Sequence, residues 1–347
     1  LRLCHDDVCG VSGARIIAPP AVGDVDGDGD LDAIVGTGEV PEGVAGVIHL
    51  VDLESATKTL TVERFGAYND TLLPVIGEGH PTPAALGDLD GDGDLEIASA
   101  AMLSPDGPIH DDGEPALEVD FTAESRGSRS TLDASAAVQM ANAPAMGDLD
   151  GDGVPDLVVG AASLEYILSL ASTRYSEHQH GLFAWSGATG EPLAGFPRQV
   201  DGPAFLTAPA IADITGDGVP EVLSTSSGHL LYAHDASGAL APGFPKFHGG
   251  WAMGGPSVGD IDGDGFLDVV VTTRDGLVFA WRTDGPADGV TPWPRPRHDP
   301  ANTGSLSTEL PVQDGPRKGC GGCSGAGGTA TWPFLTGFLV LFRRRRS

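Results

Sequence analysis

Positive charge is scarce in this chain of 347 residues: 19 Lys and Arg stand against 49 Asp and Glu, for a formal net charge of -30. So acidic a surface repels phosphate backbones and anionic headgroups, which excludes nucleic acid and anionic lipid as partners of the main body and points to cations. Cysteine is scarce too. The four fall as two local pairs, Cys4 with Cys9 and Cys320 with Cys323, and the first pair is read as a small disulfide of an oxidising compartment. Gly-x-Ser-x-Gly, His-Glu-x-x-His and a phosphate loop are all missing, so no nucleophile elbow, zinc-protease helix or nucleotide cradle announces an enzyme. His178 and His180 have no nearby Cys and no i, i+4 partner, which favours a solvated loop over a transition-metal chelate. The chain opens on Leu1, with no charged segment and apolar run before its first repeat, which leaves open a mature chain with its signal removed or a fragment.

Turn residues are abundant, with 51 Gly and 27 Pro, and one acidic stretch recurs. It runs Asp24-Val-Asp-Gly-Asp-Gly-Asp-Leu-Asp32, and its copies are Asp88 to Glu96, Asp148 to Asp156, Asp213 to Glu221 and Asp260 to Asp268. These five stretches hold 21 of the 49 acids. Each is entered through a lead-in of one kind, such as Pro20-Ala-Val-Gly or Pro256-Ser-Val-Gly, and left through a short apolar run such as Ala33-Ile-Val or Val269-Val-Val. Short runs rich in β-branched residues and bounded by Gly or Pro predict buried strands, so the unit is strand, acidic loop, strand.

A third apolar segment follows, as in Gly181-Leu-Phe-Ala-Trp185 and Gly276-Leu-Val-Phe-Ala-Trp281, and ends in turn residues such as Ala188-Thr-Gly190 and Thr283-Asp-Gly285. Gly195-Phe-Pro197 and Gly243-Phe-Pro245 then place a proline where an edge strand tolerates one. Each repeat therefore predicts a four-stranded antiparallel unit. Successive first acids lie 64, 60, 65 and 47 residues apart. Four short strands at such a period point to an all-β fold, a β-propeller whose blades bury their faces on one another. The surplus length of the second and third repeats falls at Ser104 to Asn142, read as a surface loop, and at Ser163 to His180. Leu164 to Leu170 fits a short helix or a strand equally well. Trp293 to Gly304 is expected to close the last blade, and Trp185, Trp251 and Trp281 to pack between blades rather than line a sugar site.

Numbered from its first acid, the loop offers side-chain oxygens at positions 1, 3, 5 and 9, a Gly at position 6 for a sharp bend, and a free carbonyl at position 7. Carboxylates at alternate positions converge only if the backbone wraps round one point, which suits a hard cation with six or more oxygen ligands. Ca²⁺ tolerates that irregularity better than Mg²⁺. An EF-hand needs an acid at position 12, where this chain has Val35, Ser99, Val159, Ser224 and Val271. The expected ligands are Asp24, Asp26, Asp28, the Asp30 carbonyl and Asp32 in loop one; Asp88, Asp90, Asp92, the Asp94 carbonyl and Glu96 in loop two; and Asp148, Asp150, Asp152, the Val154 carbonyl and Asp156 in loop three. Loop four offers Asp213, Thr215, Asp217, the Val219 carbonyl and Glu221, and loop five Asp260, Asp262, Asp264, the Phe266 carbonyl and Asp268. Thr215 keeps an oxygen but loses a charge, so the fourth site should be the weakest of five structural calcium sites.

The five loops, their Pro-Ala lead-ins and the apolar strands that follow resemble FG-GAP repeats, the calcium-binding blades of integrin α-subunit propellers and of bacterial VCBS-type surface proteins. The resemblance covers about residues 15 to 304. It implies a propeller with a calcium loop between the first two strands of each blade. Integrin-like propellers have seven blades against the five motifs here, so the expected ring has five to seven.

From Ser305 the composition changes. A polar linker leads to Gly319-Cys-Gly-Gly-Cys323, then an apolar run to Phe342 and the cluster Arg343 to Arg346. Residues 325 to 342 as a helix would measure roughly 27 Å, just enough to cross a bilayer with the arginines on the cytoplasmic side. This tail resembles the myxobacterial-type C-terminal sorting signal (MYXO-CTERM), which implies processing at Cys320 or Cys323 and retention at the cell surface; a plain transmembrane anchor is the alternative. The expected organisation is an N-terminal segment (1–14), the repeat domain (15–304), a linker (305–324) and an anchor tail (325–347). The expected function is a non-catalytic extracellular scaffold that binds a protein or a glycan, against the alternative of a propeller-based polysaccharide lyase or hydrolase built on the two insertions.

Overall fold

The computed structural model describes residues 16, 18–36, 48–54, 57–62, 83–89, 91, 93–100, 117–120, 128–130, 143–161, 180–204 and 207–307. Every element among them is a strand, and no helix occurs in these residues. The chain divides into two units, Leu1–Glu309 and Leu310–Ser347, and the described residues all belong to the first. The anchor helix expected over 325–342, both cysteine pairs, and Leu164 to Leu170 lie outside the described residues.

The first sheet is β1 (Ala21–Gly23), β2 (Asp32–Gly36), β3 (Ile48–Asp52) and β4 (Thr57–Val62). The second is β5 (Ala85–Gly87), β6 (Glu96–Ala100), β7 (Leu117–Asp120) and β8 (Ser128–Ser130), and the third β9 (Ala145–Gly147), β10 (Asp156–Ala161), β11 (His180–Trp185) and β12 (Arg198–Val200). The fourth holds β13 (Ala210–Ala212), β14 (Glu221–Thr225), β15 (Leu230–His234) and β16 (Lys246–Phe247), and the fifth β17 (Ser257–Gly259), β18 (Phe266–Thr272) and β19 (Val278–Pro286). Each is an antiparallel meander in chain order, and in each the acidic stretch joins the first strand to the second.

Three expectations change. The span Ser104 to Asn142 is more than a loop, because it carries β7 and β8, the third and fourth strands of its sheet. Among the described residues the fifth sheet has three strands where four were expected, which leaves β19 as an edge there. His180 is no solvated loop residue: it opens β11, pairs with Val200 and is buried. Pro197 and Pro245 do sit at edges, just before the outermost strands β12 and β16.

Alternate residues of the inner strands pack on different neighbours, as a strand's period of two requires. Leu86 and Ile97 of the second sheet pack with Ala21, Ile34 and Leu50 of the first. Ala85 and Ala98, one residue off, join Met146, Leu157 and Val158 of the third. In the fourth sheet Ile211 and Val222 pack toward the third, while Ala210, Ala212 and Leu223 meet Val269 and Val271 of the fifth. Central strands buried on both faces read as unbroken apolar runs for this reason. The far face of the fifth sheet is open among the described residues: Val270 is half-buried, Ala280 is exposed and Val278 is 70% exposed.

The segment 290–306 does more than close the last sheet. Its Val290 carbonyl accepts from Asp213 N at 2.8 Å beside β13, and Trp293 exchanges both backbone bonds with Ile211. Pro294 O accepts from Val258 of β17 at 2.7 Å, Thr303 O from Val22 of β1 at 2.9 Å, and Gly304 O from Leu86 of β5 at 2.8 Å. Pro292 lies against Gly147 of β9. The segment thus touches the first strand of all five sheets. Trp293 is fully buried at its centre, and Arg297 spreads its guanidinium over the carbonyls of Pro19, Pro20 and Asn302, a fork that a single-point donor could not fill.

This accounts for the lead-in glycines. A Cβ on Gly147 would lie 2.8 Å from Pro292, and one on Gly87 would lie 2.7 Å from the Met146 sulfur and 3.1 Å from Leu306, whereas one on Gly259 would meet nothing within 4 Å. Gly147→Ala is expected to lower the melting temperature by about 5 °C through overpacking. Gly259→Ala, the matched change in the fifth sheet, should leave it within about 1 °C in the same thermal melt.

Candidate metal centres

The acidic loops share most of one wiring, with loop one lacking the position 4 bond and loop four, where Thr215 stands at position 3, lacking the position 3 bond. The position 1 acid accepts from the N–H groups at positions 4 and 6: Gly91 and Gly93 donate to Asp88 at 2.7 and 3.0 Å, Gly151 and Gly153 to Asp148 at 2.7 and 3.0 Å, and Gly263 and Gly265 to Asp260 at 2.8 and 3.1 Å. Both glycines have positive φ in all five loops, for example 80° at Gly151 and 92° at Gly153, a conformation that side chains disfavour. The bend therefore needs glycine at position 4 as well as at position 6. Position 3 accepts from position 5, with Asp152 N to Asp150 at 3.2 Å and Asp264 N to Asp262 at 3.1 Å. Position 5 accepts from position 7, with Asp30 N to Asp28, Val154 N to Asp152 and Val219 N to Asp217 all at 2.9 Å, and Phe266 N to Asp264 at 3.0 Å.

The position 9 acid opens the second strand and is buried in every repeat: Asp32, Glu96, Asp156, Glu221 and Asp268 are between 0% and 8% exposed. It accepts the N–H of position 2, from Val25 to Asp32 at 3.0 Å, Leu149 to Asp156 at 2.8 Å, Ile214 to Glu221 at 2.9 Å and Ile261 to Asp268 at 3.1 Å, and from Leu89 to Glu96. Position 2 is itself an anchor that the spacing of the acids does not mark. Val25, Leu89, Leu149 and Ile214 are buried beneath their loops, and the signal was visible as an apolar residue in every copy. Ile261, beside the open sheet, is 61% exposed.

Carboxylates converge in four loops. Asp24, Asp26 and Asp32, then Asp148, Asp150 and Asp156, then Asp213, Asp217 and Glu221, then Asp260, Asp262 and Asp268 each bring ligand atoms within 4.8 Å of one another. Asp90 and Asp92 lie outside the described residues, while Asp88, Asp94 and Glu96 of the same loop are in place. Several expected ligands stand outside these groups. Asp28 and Asp152 lie apart, although the bond each accepts from a position 7 amide is one that Asp217 also accepts within its group; the Asp30 carboxylate, whose carbonyl was the expected ligand, faces Glu54 and pushes its carboxyl up, and Asp264 is held by Arg282 Nε at 2.7 Å. Thr215 donates to Glu221 at 3.0 Å, so it takes up an oxygen that the group would otherwise offer a metal.

Three of the buried position 9 acids, Asp32, Asp156 and Glu221, resist ionisation. Burial pushes Asp156 up to about 7 despite the Leu149 amide, with the charges of Asp150 and Asp152 adding to the rise. Glu221 goes to about 7 and Asp32 rises for the same first reason. Asp24 Oδ1 is buried with no hydrogen-bond partner. An oxygen-only donor set with surplus negative charge and an orphaned buried oxygen fits a hard metal ion, and the three-acid groups are the residues that would hold it.

An all-β chain of repeated meanders, each with such a loop between its first two strands, defines a repeat protein with candidate metal loops. Residues 140–164 match the FG-GAP repeat and residues 213–271 an FG-GAP-like repeat, so the chain carries FG-GAP repeats over loops three, four and five. No curated protein sequence matches. Among solved structures, the chain is similar to the rhamnogalacturonan lyase PL11 of Bacillus licheniformis (17% identity, 80% of this chain and 51% of that one, TM-score 0.47). It is similar to the exotype rhamnogalacturonan lyase YesX (18%, 83% and 51%, 0.47) and to the V. cholerae biofilm matrix protein Bap1 (14%, 81% and 62%, 0.33). The chain spans about half the length of the two lyases.

Folded-state values near 7 for Asp156 and Glu221 lie above those of the unfolded chain, so the metal-free fold holds protons that the unfolded chain has released. Their contribution to stability is complete below about pH 4 and is lost as the pH rises through about 7. Melting in chelator should therefore give a temperature that falls between about pH 5 and about pH 7, and Asp156→Asn should flatten that slope. Thr215→Asp, which supplies the missing charge and frees Glu221, is expected to tighten metal binding at loop four about tenfold in a calorimetric titration.

Proposed function

We propose that the protein is a calcium-loaded β-propeller scaffold that binds a protein or glycan outside the cell and does no chemistry of its own. The carrying observation is the convergence of three carboxylates within 4.8 Å in four loops, one of the three in each being the buried acid at the foot of the second strand. Calcium suits those loops because its shell accepts six to eight oxygens in irregular geometry. The ion screens the converging acids and so fixes the loop that sets the spacing of the first two strands. The propeller reading draws support from the FG-GAP repeats and from five meanders packed in succession through the alternate faces of their inner strands. Display at the cell surface rests on the apolar tail and its terminal arginines, read from the sequence alone.

Chelator should lower the melting temperature by about 10 °C or more, and excess calcium should restore it. A matrix-protein and glycan array probed with and without chelator tests the binding role. Capture that requires calcium supports it, whereas turnover of an arrayed glycan, read as released oligosaccharide, would replace it with an enzymatic role.

A further inference from the structure

Resting on that reading, we propose that the cleft between the fourth and fifth sheets is the ligand site and that it takes a carboxylate-bearing saccharide, a run of uronic acid residues. The cleft encloses about 370 Å³ and is lined by Thr215 of loop four, Phe244 and Lys246 at the outer edge of the fourth sheet, and Arg282, Thr283 and Asp284 of β19. That volume lies within the range of small-molecule sites. Its two cations stand out in a chain of net charge -30. Lys246 makes no ion pair or hydrogen bond among the described residues, and its ammonium rests 5.1 Å from the centre of the Phe244 ring. Arg282 is clamped on one side only. Its Nε donates to Asp264 at 2.7 Å and its guanidinium lies 3.9 Å from the centre of the Phe266 ring, while its terminal N–H groups have no partner among the described residues.

Two aromatic-backed cations on one cleft form a carboxylate receptor whose donors are oriented before the ligand arrives. Asp284 narrows the choice of ligand. Its exposed carboxylate opposes a bare anion or a run of acidic peptide side chains, but it accepts hydrogen bonds from hydroxyls. A sugar acid offers both groups a few ångströms apart. Thr215 and the Asp264–Arg282 pair also join the cleft to loops four and five, so a polyanion meets repulsion there until those loops carry their cations.

The calcium-loaded full chain, titrated calorimetrically with tetraglucuronate, with cellotetraose and with a glutamate-rich peptide of equal charge, tests the assignment. Tetraglucuronate alone should bind. Lys246→Ala and Arg282→Ala should each weaken it about tenfold, with Lys246→Ala leaving calcium stoichiometry and melting temperature unchanged. The proposal is overturned if the peptide binds as tightly as the saccharide. It also falls if tetraglucuronate binds Lys246→Ala as it binds the parent, the result expected when the metal loops alone bridge its carboxylates. Absence of uronate binding overturns it as well. In that case a calcium-dependent array ligand whose capture ignores Lys246→Ala would leave the scaffold role standing, and an array with no capture would remove both.

Discussion

A carboxylate buried at the foot of each second strand, holding the amide of the apolar residue seven positions before it, is the constraint on which the fold turns. The bond ties the two ends of the acidic loop together and presses Val25, Leu89, Leu149 or Ile214 into the core beneath. One charge-assisted amide bond contributes about 1.5–3 kcal/mol. Burial wins over it, since a shift of Asp156 to about 7 corresponds to a few kcal/mol against the ionised form. The loop is thus built around an unfavourable charge that the protein alone does not neutralise. A cation held by the converging acids would offset it.

The sheets are held by a second device unrelated to charge. The segment 290–306 passes the first strand of every sheet, with Trp293 fully buried and Arg297 capping the carbonyls of Pro19 and Pro20, so the stretch before the first sheet is tied to the stretch after the fifth. The lead-in glycines are the other half of this contact, because Gly87 and Gly147 leave the room that Leu306 and Pro292 fill. The fifth sheet departs on every count at once: three strands, an exposed position 2 at Ile261, an open face and an uncrowded Gly259. These are one fact seen four ways, since among the described residues this sheet is packed on a single side and has less to bury.

Much of this was legible in the residues. A strict repeat of acids and glycines, entered and left by short β-branched runs, gave the first two strands of every sheet, because burial on both faces leaves an unmistakable apolar run. Strands carrying no such run were hard to read: β8, Ser128–Ser130, has no apolar residue, and β7 alternates only over the four residues Leu117-Glu-Val-Asp120 inside a polar stretch. Within the loops, spacing identified the acids that converge but not those drawn elsewhere. Asp264 is taken by Arg282, and that arginine comes from β19, 18 residues on, a contact that only the fold creates. The segment 290–306 was hidden for the same reason, since its partners are scattered from Pro19 to Val258.

Where that segment leaves the unit has a mechanical consequence. Its last contacts, Gly304 and Leu306 on either side of Leu86, form a parallel bridge with β5 at the first-strand edge of the second sheet. A pull on the chain beyond Leu306 is met first at β5, the first strand of the second sheet. Force along the segment slides both bonds together, and it must then drag the Arg297 clamp and the buried Trp293 before any sheet is peeled. Traction from that end is shared among five sheets.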